Sequence, residues 1–358
     1  MPPVGLTATV WTKDPLVPAL VYHRFLPYGA KNESFTKIAL STYRDELQML
    51  YDAGFSLVPL ADWLRGDLRV PPGRRPLIYT MDDLFFADQI FLNPDGTPSD
   101  RSGLGILWQF SQTHPDFGFS AAIFYNLGDK LYANKPVGNW FNVSPGWEGD
   151  LARAIAWCID HGAIPYNHFY THPHLLNMEP RDVTFELSRN EVRLQKLLAS
   201  IDEEDLSTHL DNMIALPYSE WPNSRGSRMA IESYRSLDGY PVLGIMESNP
   251  RMAPAYLIKP LYADGFTPYH IQRFGTSMRS IQNLIRNIDL IPAAQECSLP
   301  IDPVRAQADA PYLTTAIRDA VSAGRCPAGV YAVAGQLFRA SSGSVEALAL
   351  KLPNPQVH

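Results

Sequence analysis

The chain has 358 residues, with 30 Lys and Arg against 37 Asp and Glu, and a formal net charge of −7. Hydrophobic residues make up 46% and charged residues 19%, the balance of a globular protein with a large core. Lys and Arg are scattered along the chain, which excludes a basic surface for nucleic acid. No segment approaches the roughly 18 consecutive apolar residues of a transmembrane segment.

The cysteines and the first residues bear on the compartment. Cys158, Cys297 and Cys326 are too few and too widely spaced for a disulfide framework or a cysteine-based zinc site. We expect three free thiols; if one bridge forms, Cys297 to Cys326 is the favoured pair. The start, Met-Pro-Pro-Val-Gly, lacks the features of a signal peptide, so we expect a cytoplasmic protein or a trimmed start.

The predicted elements alternate between strands and helices after an irregular lead-in over residues 1–18. Strands are predicted at Ala19–Phe25, Phe55–Leu60, Leu77–Thr80, Ser120–Tyr125, Ala163–Tyr166, Met213–Leu216 and Val242–Met246. Helices are predicted at 41–53, Gly103–Thr113, Trp147–His161, Pro180–Ile201, Met229–Leu237 and Ser277–Ile288. Such alternation is typical of parallel βαβ units, and seven or eight of them predict an α/β fold closing into a barrel over residues 19–292. A linker over 293–311 and a small helix-plus-hairpin appendage over 312–358 are expected to follow.

Two adjacent carboxylates, Asp82 and Asp83, follow the predicted strand Leu77–Thr80. Side by side they repel each other, and a metal ion offsets that repulsion if one is a ligand while the other acts as a base. By themselves they are more often an exposed turn or a helix cap.

Two imidazoles, His168 and His172, stand four residues apart after another predicted strand. Two histidines and one carboxylate form a metal site that leaves positions open for water and substrate. Alone, the pair is more simply read as surface histidines. Because the carboxyl ends of barrel strands form one face, we expect Asp82, Asp83, His168, His172 and Tyr218 to meet there.

Several motifs in order give the chain a family resemblance. They are Leu20-Val-Tyr-His23, Asp52-Ala-Gly54-Phe, Tyr79-Thr-Met-Asp-Asp83, His168-Phe-Tyr-Thr-His172 and Leu216-Pro-Tyr218. Over roughly residues 17–290 the chain resembles polysaccharide deacetylases of the NodB-homology type, carbohydrate esterase family 4. The resemblance implies a distorted (β/α) barrel, an acetylated glycan as substrate, and an extracytoplasmic or cell-envelope setting.

The resemblance also implies roles for particular residues. Asp83, His168 and His172 would bind one divalent metal, with zinc expected and cobalt, nickel or iron as alternatives. Asp82 would be the general base that activates metal-bound water for removal of N-acetyl or O-acetyl groups. The backbone N–H of Tyr218 would help to hold the oxyanion. His270 is the best candidate for the catalytic acid.

The chain departs from the family pattern at three positions. Leu84 replaces a glycine after the Asp pair, Phe169 replaces a serine or threonine, and Ala215 stands where an arginine would orient the catalytic Asp. We interpret His23, in the first strand, as a hydrogen-bonded core residue. His174 is interpreted as solvated, with a substrate contact as the alternative.

These departures keep two other functions open. One is a C–N hydrolase acting on a non-sugar amide on the same scaffold. The other is a glycan-binding protein with little or no turnover. The aromatic residues Trp140, Phe141, Trp147 and Trp221 fit either a wall for sugar stacking or core packing.

Overall fold

The structure, a computed structural model, describes residues 5–84, 87–128, 131–132, 135–136, 146–208 and 210–350. The strands are Leu6–Trp11 (β1), Ala19–Tyr22 (β2), Arg24–Leu26 (β3), Lys37–Ala39 (β4), Phe55–Leu57 (β5), Arg75–Leu84 (β6), Ala121–Tyr125 (β7), Leu131–Tyr132 (β8), Lys135–Pro136 (β9), Ala163–Asn167 (β10), Asn212–Ala215 (β11), Val242–Asn249 (β12), Ile271–Gly275 (β13), Gln295–Leu299 (β14), Gly329–Val333 (β15), Gln336–Ala340 (β16) and Val345–Ala347 (β17). The helices are Leu40–Asp52 (α1), Leu60–Leu64 (α2), Gly103–Thr113 (α3), Trp147–Asp160 (α4), Pro180–Ala199 (α5), Arg225–Glu232 (α6), Met278–Arg286 (α7), Pro303–Ala308 (α8) and Ala310–Ser322 (α9).

Seven parallel strands close into a ring. Strands β2, β13, β12, β11, β10, β7 and β6 pair in that order, and β6 pairs back onto β2. The eighth strand, β5, pairs with the first residues of β6 outside the ring. The protein is therefore an α/β fold with a mainly parallel sheet, and the carboxyl ends of the strands share one end of the ring.

The ring is buried on both faces. Its interior holds apolar side chains from most strands, such as Ile78, Phe124, Met213, Met246 and Ile271. Outside the ring the helices bury one apolar face each against the strands, which is why the strands read as continuous apolar runs. Serine side chains cap the first turns of α3, α6 and α7.

A second, antiparallel sheet lies against the ring. Its strand order is β14, β1, β15, β16 and β17. Its own core packs under α9, while Trp11, Val330 and Leu337 join the apolar cluster that fills the ring. Trp11 meets Trp63 of α2 edge to face, with ring centroids 6.5 Å apart. The sheet and α2 therefore extend the core of the ring.

Two segments that were expected to be irregular contain regular structure. The lead-in holds β1, whose partners β14 and β15 lie about 290 and 320 residues further along. The expected linker holds β14 and α8. Sequence patterns of five or six residues do not reveal such pairing because it depends on partners distant in the chain. In the appendage, the segment 329–340, expected as one arm of the hairpin, is itself two strands, β15 and β16, which turn at Ala334–Gly335, and β16 then pairs with β17 as the expected second arm.

The expectation of three free thiols is wrong. Cys297 of β14 and Cys326, just before β15, form a disulfide with their Cα atoms 5.7 Å apart. Cys158 is free and buried. This is the pair favoured for the case of one bridge, and it joins two segments that the second sheet brings together. Among the described residues, no helix is both long and apolar enough to cross a membrane.

Candidate active site

The two carboxylates lie at a β-bulge near the end of β6. The pairing of β6 with β7 runs Met81 to Ile123 and then Leu84 to Tyr125, so β6 carries one extra residue. Asp83 has a φ of 59°, the left-handed conformation. Successive strand residues normally point to opposite faces. The bulge removes this alternation, and both Asp82 and Asp83 reach the same end of the ring.

Asp83, His168 and His172 come together as a group that could hold a metal ion. One ligand atom from each lies within 4.8 Å of the others. The Asp83 Oδ1 atom is 3.6 Å from His168 Nε2 and 3.5 Å from His172 Nε2. Asn126, at the end of β7, donates to the same Asp83 oxygen at 3.0 Å. Three of the sequence-predicted residues are thus neighbours in space.

The orientation of His168 suits a metal ligand. Its Nδ1 is 2.9 Å from the backbone oxygen of Ala215, the last residue of β11, which leaves Nε2 directed at Asp83. Burial lowers the pKa of His168, because the charged imidazolium is poorly solvated there. A neutral imidazole is the form that binds a metal. The donor set, two imidazoles and one carboxylate, therefore fits a divalent ion such as zinc.

Backbone strain is concentrated around this group. Seven described residues other than glycine have a positive φ, and five of them are Asp83, Phe169, His172, Tyr218 and Ser219. Each costs on the order of 1 kcal/mol or more. Strain retained at five positions around one site indicates that the surrounding contacts hold these side chains in place.

Asp82 forms a buried ion pair with Arg273 of β13. Arg273 Nη1 and Nη2 donate to the two carboxylate oxygens at 2.6 and 2.8 Å, and both side chains are buried. Arg273 Nη1 also donates to Thr80 Oγ1, and the guanidinium lies over the Phe124 ring. Burial is the largest single influence and raises the pKa of Asp82, but the charge and hydrogen bonds of Arg273 together with the nearby imidazoles of His168 and His23 outweigh it and lower that pKa to about 2.

His23 lies beside Asp82, at the end of β2. Its Nε2 is 4.0 Å from Asp82 Oδ2, and its side chain is 10% exposed. Its Nδ1 is buried and has no hydrogen-bond partner among the described residues, so the interpretation as a hydrogen-bonded core residue does not hold. Burial lowers the pKa of His23, against the charges of Asp82 and Asp83, which raise it. Gln89 donates to the backbone oxygens of His23 and Asp82 at 2.8 and 2.7 Å and so ties β2 to β6.

Helix α5 supports the loop that carries the two histidines. Its buried Glu186 accepts hydrogen bonds from the Thr171 backbone N–H and hydroxyl, at 2.8 and 2.9 Å. One turn later, the Asn190 side-chain amide donates to Asn167 Oδ1 at 2.9 Å, and its oxygen accepts from the Leu127 backbone N–H. The same helix face therefore holds the loops after β7 and β10, which supply Asn126 and the histidines.

Tyr218 and His174 lie on the exposed side of the group. Tyr218 follows β11 and is 56% exposed, and its ring meets that of His172 edge to face, with centroids 4.5 Å apart. His174 stacks on Tyr218 at 4.1 Å, and its Nδ1 is 3.0 Å from Glu220 Oε1. His174 is mostly exposed, in keeping with the solvated interpretation, although its ring is engaged.

The structure does not bring His270 into this group. It lies just before β13, at the opposite end of that strand from the expected active face. Its Nδ1 is 2.7 Å from Glu247 Oε1, and its ring meets that of Trp221 at 4.9 Å. Arg273, three residues on, points into the ring instead. On β13 it is therefore Arg273 that reaches Asp82, while His270 contacts Glu247 and Trp221.

The three departures from the family pattern have separate consequences. Leu84 and Phe169 are fully buried in apolar clusters, so neither faces an open cleft. With Ala215 at the end of β11, no cation on that strand orients Asp82. Arg273 of β13 supplies the cation that contacts Asp82. Phe169 has no side-chain hydroxyl, but Thr171, two residues later in the loop, donates its hydroxyl to Glu186.

The proposed aromatic wall is described only in part. Trp147 is partly buried against the core, and Trp221 donates from its indole N–H to Glu247 at 2.7 Å. Trp140 and Phe141 lie outside the described residues.

No protein-family model matches the chain, and no curated protein matches it. Among solved structures it is similar to a deacetylase from Streptococcus pyogenes in complex with acetate, at 16% identity and a TM-score of 0.48, over 76% of this chain and 98% of that one. It is similar to a polysaccharide deacetylase from Bacillus cereus (14% identity, TM-score 0.48, 77% of this chain and 69% of that one). It is also similar to a de-N-acetylase from Aggregatibacter actinomycetemcomitans (12%, 0.47, 75% and 99%). At these values the likeness says nothing about chemistry, which has to come from the residues of this chain.

Proposed function

We propose that the protein is a metal-dependent hydrolase that removes acetyl groups from an acetylated glycan. The observation that carries this proposal is the Asp83, His168 and His172 group with the Asp82–Arg273 pair beside it, at one end of the ring. The fold is proposed to be a distorted (β/α) barrel, and the metal is proposed to be zinc. The Cys297–Cys326 bridge supports an oxidising, extracytoplasmic compartment.

Asp83, His168 and His172 would hold a divalent ion, which would supply a Lewis acid for the acetyl carbonyl and for water. Asn126 keeps the Asp83 carboxylate oriented. The backbone N–H of Tyr218 is proposed to stabilise the oxyanion from the exposed side.

Asp82 is proposed to be the general base. Its low pKa keeps it ionised at neutral pH, and Arg273 fixes the direction of both carboxylate oxygens. A base held in one orientation loses little entropy when it accepts the proton of the attacking water.

His23 is proposed to deliver a proton to the leaving nitrogen or oxygen. It is the imidazole beside Asp82, whereas His270, just before β13, pairs with Glu247 of β12. Because its pKa is lowered, His23 is neutral at rest and must first receive the proton that Asp82 takes from water. The bond between the acetyl carbon and that nitrogen or oxygen then breaks as His23 protonates the leaving atom, which returns Asp82 and His23 to their resting protonation states.

The first test is metal content together with acetate release. Purified wild type should contain about one divalent metal per chain, lost in His168→Ala and retained in His174→Ala, whose exposed histidine lies in the same loop. Wild type should release acetate from N-acetylated chito-oligosaccharides. Asp82→Asn should keep the metal and lose that activity, and His23→Ala should lose far more activity than His270→Ala.

Other outcomes would assign another function. Release of an amine from a small amide, without acetate from glycans, would indicate a different C–N hydrolase. Glycan binding that is unchanged in Asp82→Asn, without turnover, would indicate a binding protein. Absence of metal from wild type after reloading with zinc would remove the basis of the proposal.

A further inference from the structure

An exposed aromatic ring lies next to the buried catalytic residues. Phe35 is 38% exposed, and its ring centroid is 5.6 Å from that of His23, tilted by 57°. His23 in turn contacts Asp82 at 4.0 Å. The His23 side chain therefore lies between Phe35 and Asp82, and Phe35 presents apolar surface to solvent beside the proposed reacting groups.

The backbone fixes the position of this ring. Phe35 lies at the tip of a two-residue turn closed by hydrogen bonds between Ser34 and Lys37, at 2.8 and 3.1 Å. The Arg24 N–H of β3 donates to the oxygen of Thr36 at 3.0 Å. A large apolar side chain at a loop tip is usually mobile, but this one is held on a bonded turn.

Gly275, the last residue of β13, makes room for the ring. A Cβ atom added there would lie 1.9 Å from Phe35 Cε2 and 2.2 Å from Cδ2. The φ of Gly275 is not in the left-handed region, so the backbone conformation does not require glycine. The missing side chain is explained by the close approach of the Phe35 ring.

We propose that Phe35 is a positioning residue that stacks on a sugar ring of the glycan substrate. A pyranose ring presents a face of C–H groups, which a phenyl ring can cover without leaving polar groups unsatisfied. The His23 ring separates Phe35 from Asp82, so Phe35 contacts the sugar and not the acetyl carbonyl. This inference rests on the proposed function and adds where the sugar lies, on the β2 and β13 side of the site.

The test compares a glycan with a substrate that has no sugar. Phe35→Ala should raise KM for N-acetylated chito-oligosaccharides about tenfold and leave kcat within about twofold, because stacking is present in both ground and transition states. Phe35→Tyr, which keeps the flat ring, should restore the wild-type KM. Hydrolysis of p-nitrophenyl acetate should be the same in all three proteins.

Tyr28→Ala is the matched control, because Tyr28 is an exposed aromatic in the same loop that lies against Arg44. Its kinetics should match those of wild type. An unchanged KM in Phe35→Ala, or equal losses on both substrates, would overturn the stacking role.

Failure of the proposed function gives a separate result. If wild type hydrolyses neither substrate, binding of the intact oligosaccharide is measured by titration calorimetry. Phe35→Ala should then weaken binding about tenfold, with Tyr28→Ala unchanged. Equal affinities in wild type and Phe35→Ala would overturn the inference independently of any catalysis.

Discussion

Arg273 donates hydrogen bonds to both carboxylate oxygens of Asp82, although the two residues are 191 positions apart in the sequence. The pair is almost completely buried, and Arg273 also contacts Thr80 of β6, the strand that carries Asp82, and Phe124 of β7. The general base of the proposed reaction is thus oriented by contacts among three strands of the ring.

Arg273→Met should cost about 3–5 kcal/mol of unfolding free energy at pH 7, because it leaves the Asp82 carboxylate buried and unpaired. Acetate release should fall at least a hundredfold. In wild type, the lowered pKa of Asp82 stabilises the folded state at pH values above 3.8, which is the ordinary pKa of this group. This stabilisation is lost as the pH falls toward about 2. The stability gap between the two proteins, measured by urea denaturation, should therefore narrow below pH 4. Arg339→Met, which breaks an exposed pair with Asp14, should cost less than about 1 kcal/mol.

Glu186→Gln should weaken metal binding about tenfold, since Glu186 holds the loop between the two histidines through Thr171. Thr171→Val removes only the hydroxyl bond and should have a smaller effect. Competition with a chelator of known affinity measures both. Asp182→Asn, on an exposed position of the same helix, should leave the affinity unchanged. Equal affinities in Glu186→Gln and wild type would show that the loop keeps its shape without this contact.

Glu46 should make the protein less stable as pH rises. It is buried in α1, with Tyr22 donating to Oε2 at 3.0 Å, and burial raises its pKa to about 8. Between its ordinary value of 4.5 and about 8 the folded state binds more protons than the unfolded state. Stability is therefore fully present below pH 4.5 and falls by up to about 1.4 kcal/mol per pH unit until pH 8.

Glu46→Gln should remove this fall, since the amide does not titrate and can still accept the Tyr22 hydrogen bond. Urea denaturation from pH 5 to pH 9 provides the measurement. Glu203→Gln, at an exposed position, should keep the wild-type profile. If the unfolding free energy of Glu46→Gln fell with pH as steeply as that of wild type, the assignment of this pH dependence to Glu46 would be contradicted.

The sequence sufficed to predict that Asp83, His168 and His172 lie together because its signal is local. Asp83 follows a buried apolar run, and His168 and His172 follow another, so parallel strands bring them to one edge. Arg273 was missed because nothing in its neighbourhood marks it as buried; its partner comes from a distant strand. His23 was expected in the core, but its neighbour Asp82 lies on another strand, so the sequence did not reveal what its imidazole contacts. Glu186 and Asn190 were missed because polar residues on a helix usually face solvent, and only packing shows that these face a loop.

The second sheet has a consequence for synthesis on the ribosome. β1 is synthesised before every strand of the ring, but both strands that pair with it follow residue 294. All seven strands of the ring are made before either partner. Throughout that interval both edges of β1 lack their native partners and its apolar side chains, Val10 on one face and Trp11 on the other, lack their native neighbours, which is the kind of segment that pairs with other nascent chains. We therefore expect β1 to need protection, by a chaperone or by temporary packing, until β14 and β15 are made.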